Sequence, residues 1–337
     1  MEIVGYDKLN GGNDGLRYAW KCKEADNYIE SAAFINRTKG IDGSISAYTT
    51  SVSAGCILKA RGIPCKFCRT GTVLPFSRKL THEEIALQNV FMVLNDMNNP
   101  YRREIAEKER EFAYMGQGEP GFSYDQVRLA VELTNRIMKS LNQKVHRHII
   151  ATSGVPDAIN AYKKDVKEYY TERVTIHLSM HSLQDRDAIM PINTIYPLKE
   201  SINAIDDILE ITGEKPCLGI LLFNCFKPNH SDISYTNGLE QVKEMLNILD
   251  PNKVRLSFCE YNPCEDVGVT HEFDKNSADS IMKYAAEQGF EAKLFFSFGK
   301  NENTACGLLG GTEPAFQASE DMSRLYDRAK ALINEFK

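Results

Sequence analysis

Short apolar runs alternate with longer amphipathic segments along most of this chain. Runs at 45–53, 111–116, 145–153, 174–180, 217–224, 253–260 and 291–296 have the length and apolar content of buried strands. Helical spacing of apolar residues predicts helices at 82–95 and 124–141, a short one after Pro156, others near Leu198, Gly238 and Ser277, and a last one over 315–336. Thr81-His82-Glu83-Glu84 reads as a capping box, with Leu80 and Ile85 placed as a hydrophobic staple. Strands that alternate with helices predict the α/β class, a parallel sheet wrapped by helices and closing toward a barrel. In such barrels the reacting groups collect in the loops after the strands.

With 337 residues, one large barrel core fits the length. Nine cysteines without an apolar run of about 18 residues or a signal-like start predict a reducing, cytoplasmic location and no membrane partner. The net charge of −6 disfavours nucleic acid as the default partner, because the field of the whole molecule repels polyanions.

The chemistry points to Cys56, Cys65 and Cys68, spaced C-x8-C-x2-C in the loop after the first barrel strand. A closed structural metal site takes four protein ligands, so three thiolates leave one metal corner open. The same residues also allow plainer readings: buried cysteines that act as small hydrophobes, a zinc knuckle or a redox pair.

The later strand-end loops carry Met115-Gly116-Gln117-Gly118-Glu119-Pro120, Ala151-Thr152-Ser153-Gly154-Val155-Pro156, Ser179-Met180-His181, Met190-Pro191-Ile192-Asn193, Asn262-Pro263 and Ala305-Cys306-Gly307-Leu308-Leu309-Gly310. In this order, and together with the cysteine trio, they resemble the RlmN/Cfr group of radical S-adenosylmethionine (SAM) enzymes, which methylate adenosine in RNA. The resemblance implies a radical SAM partial TIM-type (βα)6 barrel with short N-terminal and C-terminal extensions. It sets the core at 45–311, an N-terminal extension at 1–44 and a C-terminal helix packed on the barrel at 312–337. It also implies a 4Fe–4S cluster on Cys56, Cys65 and Cys68, with SAM on the open iron. Gly118, Glu119, Ser153, Ser179, His181 and Asn262 match the positions that hold SAM. A low-potential electron donor such as flavodoxin or ferredoxin is the implied partner.

The chain departs from the RNA-methylating pattern in three places. Cys306 matches the family's methyl-carrying cysteine, but Thr49 stands seven residues before Cys56, where the family has a second, resolving cysteine. Fewer residues precede the first barrel strand than the family's RNA-binding region needs. Cys259-Glu260-Tyr261 replaces apolar residues before Asn262-Pro263 and puts a carboxylate at the barrel mouth. These departures set the expectation of a queuine lyase, a radical SAM enzyme that cleaves the small nucleobase queuine to preQ1 in queuosine salvage. Glu260 and Asp232 would then bind substrate, and Cys306 would be a catalytic hydrogen-atom relay. The alternative is an RlmN/Cfr-like radical SAM RNA adenosine C-methyltransferase that has moved its second cysteine to Cys225 or Cys264.

Overall fold

The computed structural model describes residues 1–9, 14–36, 45–106, 109–271, 273, 275–295 and 308–337. Cys306 lies outside the described residues, as does position 296 of the expected last strand. The capping box forms as its sequence predicts. Thr81 Oγ1 accepts from the Glu84 N–H (3.3 Å), and Glu84 accepts from the Thr81 N–H (3.0 Å), which starts the helix His82–Asn98. Leu80 and Ile85 are both buried at that start.

Among the described residues, seven strands run parallel in the order β4 (Ile45–Thr49), β7 (Arg110–Tyr114), β8 (Val145–Thr152), β9 (Val174–Ser179), β10 (Cys217–Pro228), β12 (Arg255–Glu260) and β14 (Ala292–Phe295). Helices Tyr124–Ser140, Pro156–Glu168, Leu198–Ile205, Leu239–Leu246 and Lys275–Glu287 connect consecutive strands. This is the expected α/β barrel-type sheet, left unclosed, with β14 at one edge. β5 (Ser53–Ala54) and β6 (Arg78–Lys79) make a separate small ribbon beside the cysteine loop.

The first 36 residues hold strands that periodicity did not single out. β1 (Glu2–Leu9), β2 (Gly15–Lys21) and β3 (Ile29–Asn36) form an antiparallel meander that joins the barrel sheet at β4. Its inner face is aromatic: Tyr18 and Trp20 pack edge-on to Phe91, with ring centroids 5.4 and 5.1 Å away. Trp20 Nε1 donates to Ser31 Oγ at 2.8 Å, which satisfies the one polar atom of that buried ring.

β10 runs past the barrel and carries two short antiparallel partners, β11 (Tyr235–Asn237) and β13 (Gly268–His271). At the other end of the chain the last helix covers Glu320–Phe336, later than the expected start at 315. Phe316–Gln317 pairs with β1 as β15, and Ser319 then caps the helix by accepting from the Met322 N–H (3.2 Å). The helix packs on His82–Asn98 and Tyr124–Ser140. Among the described residues no helix is long and apolar enough to cross a membrane.

Candidate active site

The chain leaving β4 is threaded against the loop that follows β7. The Val52 N–H donates to the Gln117 carbonyl (2.9 Å) and the Gly116 N–H to the Thr50 carbonyl (3.0 Å). Gln88, inside the helix His82–Asn98, secures Ser51 from both sides: it accepts the Ser51 N–H (3.1 Å) and donates to the Ser51 carbonyl (3.0 Å). This contact leaves no room for a side chain at Gly118. A Cβ on Gly118 would meet Ser53 Oγ at 2.1 Å, and the backbone there has φ +103°.

Cys56, Cys65 and Cys68 face one pocket, together with Phe67, Gly118, Glu119, Ser153, Ser179 and His181. Cys56 precedes the short helix Ile57–Ala60, Cys68 precedes Arg69–Thr72, and the Cys68 N–H donates to the Cys65 carbonyl (3.2 Å). Burial pushes the Cys56 thiol up to about 12 and raises Cys65 and Cys68 as well; each lies within electrostatic reach of another of the trio. Among the described residues, no three His, Cys, Asp or Glu side chains converge closely enough to share one metal ion. Three thiolates on one pocket fit a cluster, in which each takes a separate iron.

Glu119 is buried and its carboxylate is already full. Oε1 accepts from Thr152 Oγ1 (2.5 Å) and the Gly121 N–H (2.8 Å), while Oε2 accepts from the Ser153 N–H (2.9 Å) and Ser153 Oγ (2.6 Å). Four donors occupy about four lone-pair sites, so a ligand ammonium reaches this carboxylate only by displacing one of them, most simply the Ser153 hydroxyl. Glu119 is thus a brace between two strand-end loops.

His181 has φ +57°, and its ring meets Phe67 edge-on with centroids 4.9 Å apart. Burial first, and Arg186 second, hold its pKa down to about 3. The imidazole is therefore neutral at physiological pH, and its buried Nδ1 has no partner among the described residues. A neutral ring with an unmet nitrogen in a pocket wall is equipped to bond a polar ligand.

The structure brings Gly118, Glu119, Ser153, Ser179 and His181 together with the cysteines and leaves three other expected residues off the pocket wall. Asn262 is buried just past β12, Glu260 is half-buried at the end of that strand, and Asp232 is exposed between β10 and β11.

Arg186 and Glu30 are among the buried charged residues that the sequence reading did not single out. Arg186 donates through Nη1 to the Ser179 carbonyl (2.8 Å) and the Met180 carbonyl, through Nη2 to the Ser153 carbonyl (2.6 Å) and through Nε to Asn193 Oδ1 (3.0 Å). Its pKa falls to about 10 through burial, which leaves it cationic beside Cys65. The motif residue Asn193 was the available signal, since its side chain holds this guanidinium. The other is Glu30 of β3, which accepts from Arg17, from Gln117 Nε2 (3.0 Å) and from the Gly311 N–H (2.8 Å). Thr70, two residues past Cys68, donates to the Leu309 carbonyl (2.6 Å). The segment that follows Cys306 is thereby tied to both the cysteine loop and the meander.

No protein-family model matches the chain. The fold is shared with a solved radical SAM methyltransferase from Sphaerobacter thermophilus, with TM-score 0.73 and 18% identity over 93% of this chain and 82% of that one. The curated relatives are named probable dual-specificity RNA methyltransferase RlmN. That of Thermosipho melanesiensis is 27% identical over 312 residues, covering 92% of this chain and 78% of its own length. That of Syntrophomonas wolfei is 28% identical over 271 residues, covering 78% and 69% respectively.

These findings correct the expectation of the queuine lyase QueL. Relatives that span most of the chain carry an RNA methyltransferase name.

Proposed function

We propose that the protein is a radical SAM enzyme that methylates adenosine in RNA, with a 4Fe–4S cluster on Cys56, Cys65 and Cys68 and SAM in the adjoining pocket. The observation that carries this reading is the placement of all three cysteines on one pocket with Gly118, Ser153, Ser179 and His181. The relatives' names support the choice of RNA as substrate. When bound, the cluster and SAM supply one-electron chemistry and a transferable methyl group, and a flavodoxin- or ferredoxin-like protein supplies the electron.

This chain's own residues hold that chemistry in place. Arg186 fixes the ends of β8 and β9 through the Ser153 and Ser179 carbonyls. Glu119 locks the second loop to the third, and His181 offers a neutral nitrogen to the ligand. Cys306 is the methyl carrier. Thr49 has no thiol with which to resolve an adduct, and that role would pass to Cys225 or Cys264.

Anaerobic incubation of the reconstituted protein with SAM, a reductant and unmodified RNA, followed by nucleoside mass spectrometry, tests the reading. Methyladenosine that depends on both SAM and cluster supports it. Consumption of SAM with no change in the RNA overturns it.

A further inference from the structure

The barrel interior below the pocket holds more positive charge than nearby acids match. Ala151 of β8, Ser153 just past its end and Ser179 of β9 face the pocket. Alternation along each strand puts Arg147 on the side of Ala151, and His177 on the side of Ser179. Cross-strand register carries that side through the sheet: Ala151 stands opposite His177, His177 opposite Cys217, Cys217 opposite Arg255, and Ser257 opposite Lys293. Arg147, Arg255 and Lys293 therefore share the interior with His177, toward the strands' amino ends. All three cations act electrostatically on both His177 and Cys217, which places them around one spot.

Two acids lie in this layer. Glu111 accepts from Arg147 Nε at 2.6 Å, and Glu291 acts on Cys217. Arg255 and Lys293 form no ion pair among the described residues. Among the described residues, the buried Nε of Arg255 and Nε2 of His177 have no hydrogen-bond partner. A buried donor without an acceptor is costly, and a guanidinium fork is shaped for the paired oxygens of an oxyanion. Lys293 is exposed, so the layer is reachable from solvent.

We propose that Arg147, His177, Arg255 and Lys293 form an oxyanion-binding site of phosphate chemistry inside the barrel, beneath the SAM pocket. The site does not depend on the methyl-transfer reading, and SAM binding measured on the same samples separates the two. Its ligand is either free phosphate or the phosphate of a nucleotide.

Calorimetric titration of the full chain with inorganic phosphate, and separately with adenosine monophosphate, tests the proposal in the wild type and in Arg255→Gln, Lys293→Gln and the control Lys139→Gln. Saturable binding that weakens tenfold or more in Arg255→Gln and Lys293→Gln, but not in Lys139→Gln, is expected. Tighter binding of phosphate identifies the free ion as the ligand, and tighter binding of the nucleotide identifies an attached phosphate. Lys293 is exposed, so its variant keeps the test valid if Arg255→Gln fails to fold. No saturable binding of either probe to the wild type, or unchanged affinity in Lys293→Gln, overturns the proposal.

Discussion

Arg186 Nη2 donates to the Ser153 carbonyl oxygen at 2.6 Å and so joins the loop after β9 to the end of β8. The same guanidinium holds the Ser179 carbonyl, which makes one buried side chain the common support of two pocket-lining serines. Replacing it with methionine leaves buried carbonyls unmet, a loss of about 3 kcal/mol. Arg186→Met should lower the urea midpoint and weaken SAM binding together. Arg186→Lys should recover part of the stability and less of the SAM affinity, because a single ammonium cannot span both carbonyls and Asn193. Equal SAM affinity in all three proteins contradicts this role.

Gly118 is where backbone geometry and site geometry meet. Alanine there would have to hold φ +103° with its Cβ 2.1 Å from Ser53 Oγ. The second loop must move and take Glu119 with it. Gly118→Ala should lose about 2 kcal/mol or more of stability and most SAM binding, read by chemical denaturation and equilibrium dialysis.

The Arg17–Glu30 pair is fully buried, and Glu30 also anchors the Gly311 N–H. Breaking one side of such a pair costs about 3–5 kcal/mol. Glu30→Ala should show this loss, and Arg17→Met combined with Glu30→Met should lose less than the two single changes added together. A double-mutant cycle with additive losses contradicts the coupling.

Burial holds the His148 pKa down to about 3 from an ordinary 6.5, with the ring between Tyr114 (3.0 Å) and Asn135 (2.8 Å). A depressed histidine favours the unfolded chain wherever that chain binds the proton and the folded one does not. Its contribution to stability is therefore complete above pH 6.5 and is lost as pH falls from there toward 3. The melting temperature should drop between pH 7 and pH 5, and His148→Gln should show a smaller drop. An equal drop in both proteins assigns the acid sensitivity elsewhere.

The cysteine loop, the glycine-rich second loop and the capping box at Thr81 were legible because each is written in consecutive residues with a local physical requirement. Glu30 was not, because its partner Gly311 lies 281 residues away and only the fold brings them together. Arg186 was largely hidden for the same reason: the motif residue Asn193 was its one signal, and the carbonyls it meets lie on other strand ends. For Glu260 and Asp232, a place near a strand end does not determine whether the side chain turns into the pocket.

Methylation of Cys306 tests the central claim most directly. After anaerobic reconstitution with SAM carrying a deuterated methyl group, peptide mass spectrometry should find the label on Cys306, and only when Cys56, Cys65 and Cys68 are intact. An unlabelled Cys306 in a protein that carries its iron–sulfur cluster and consumes SAM contradicts methyl transfer.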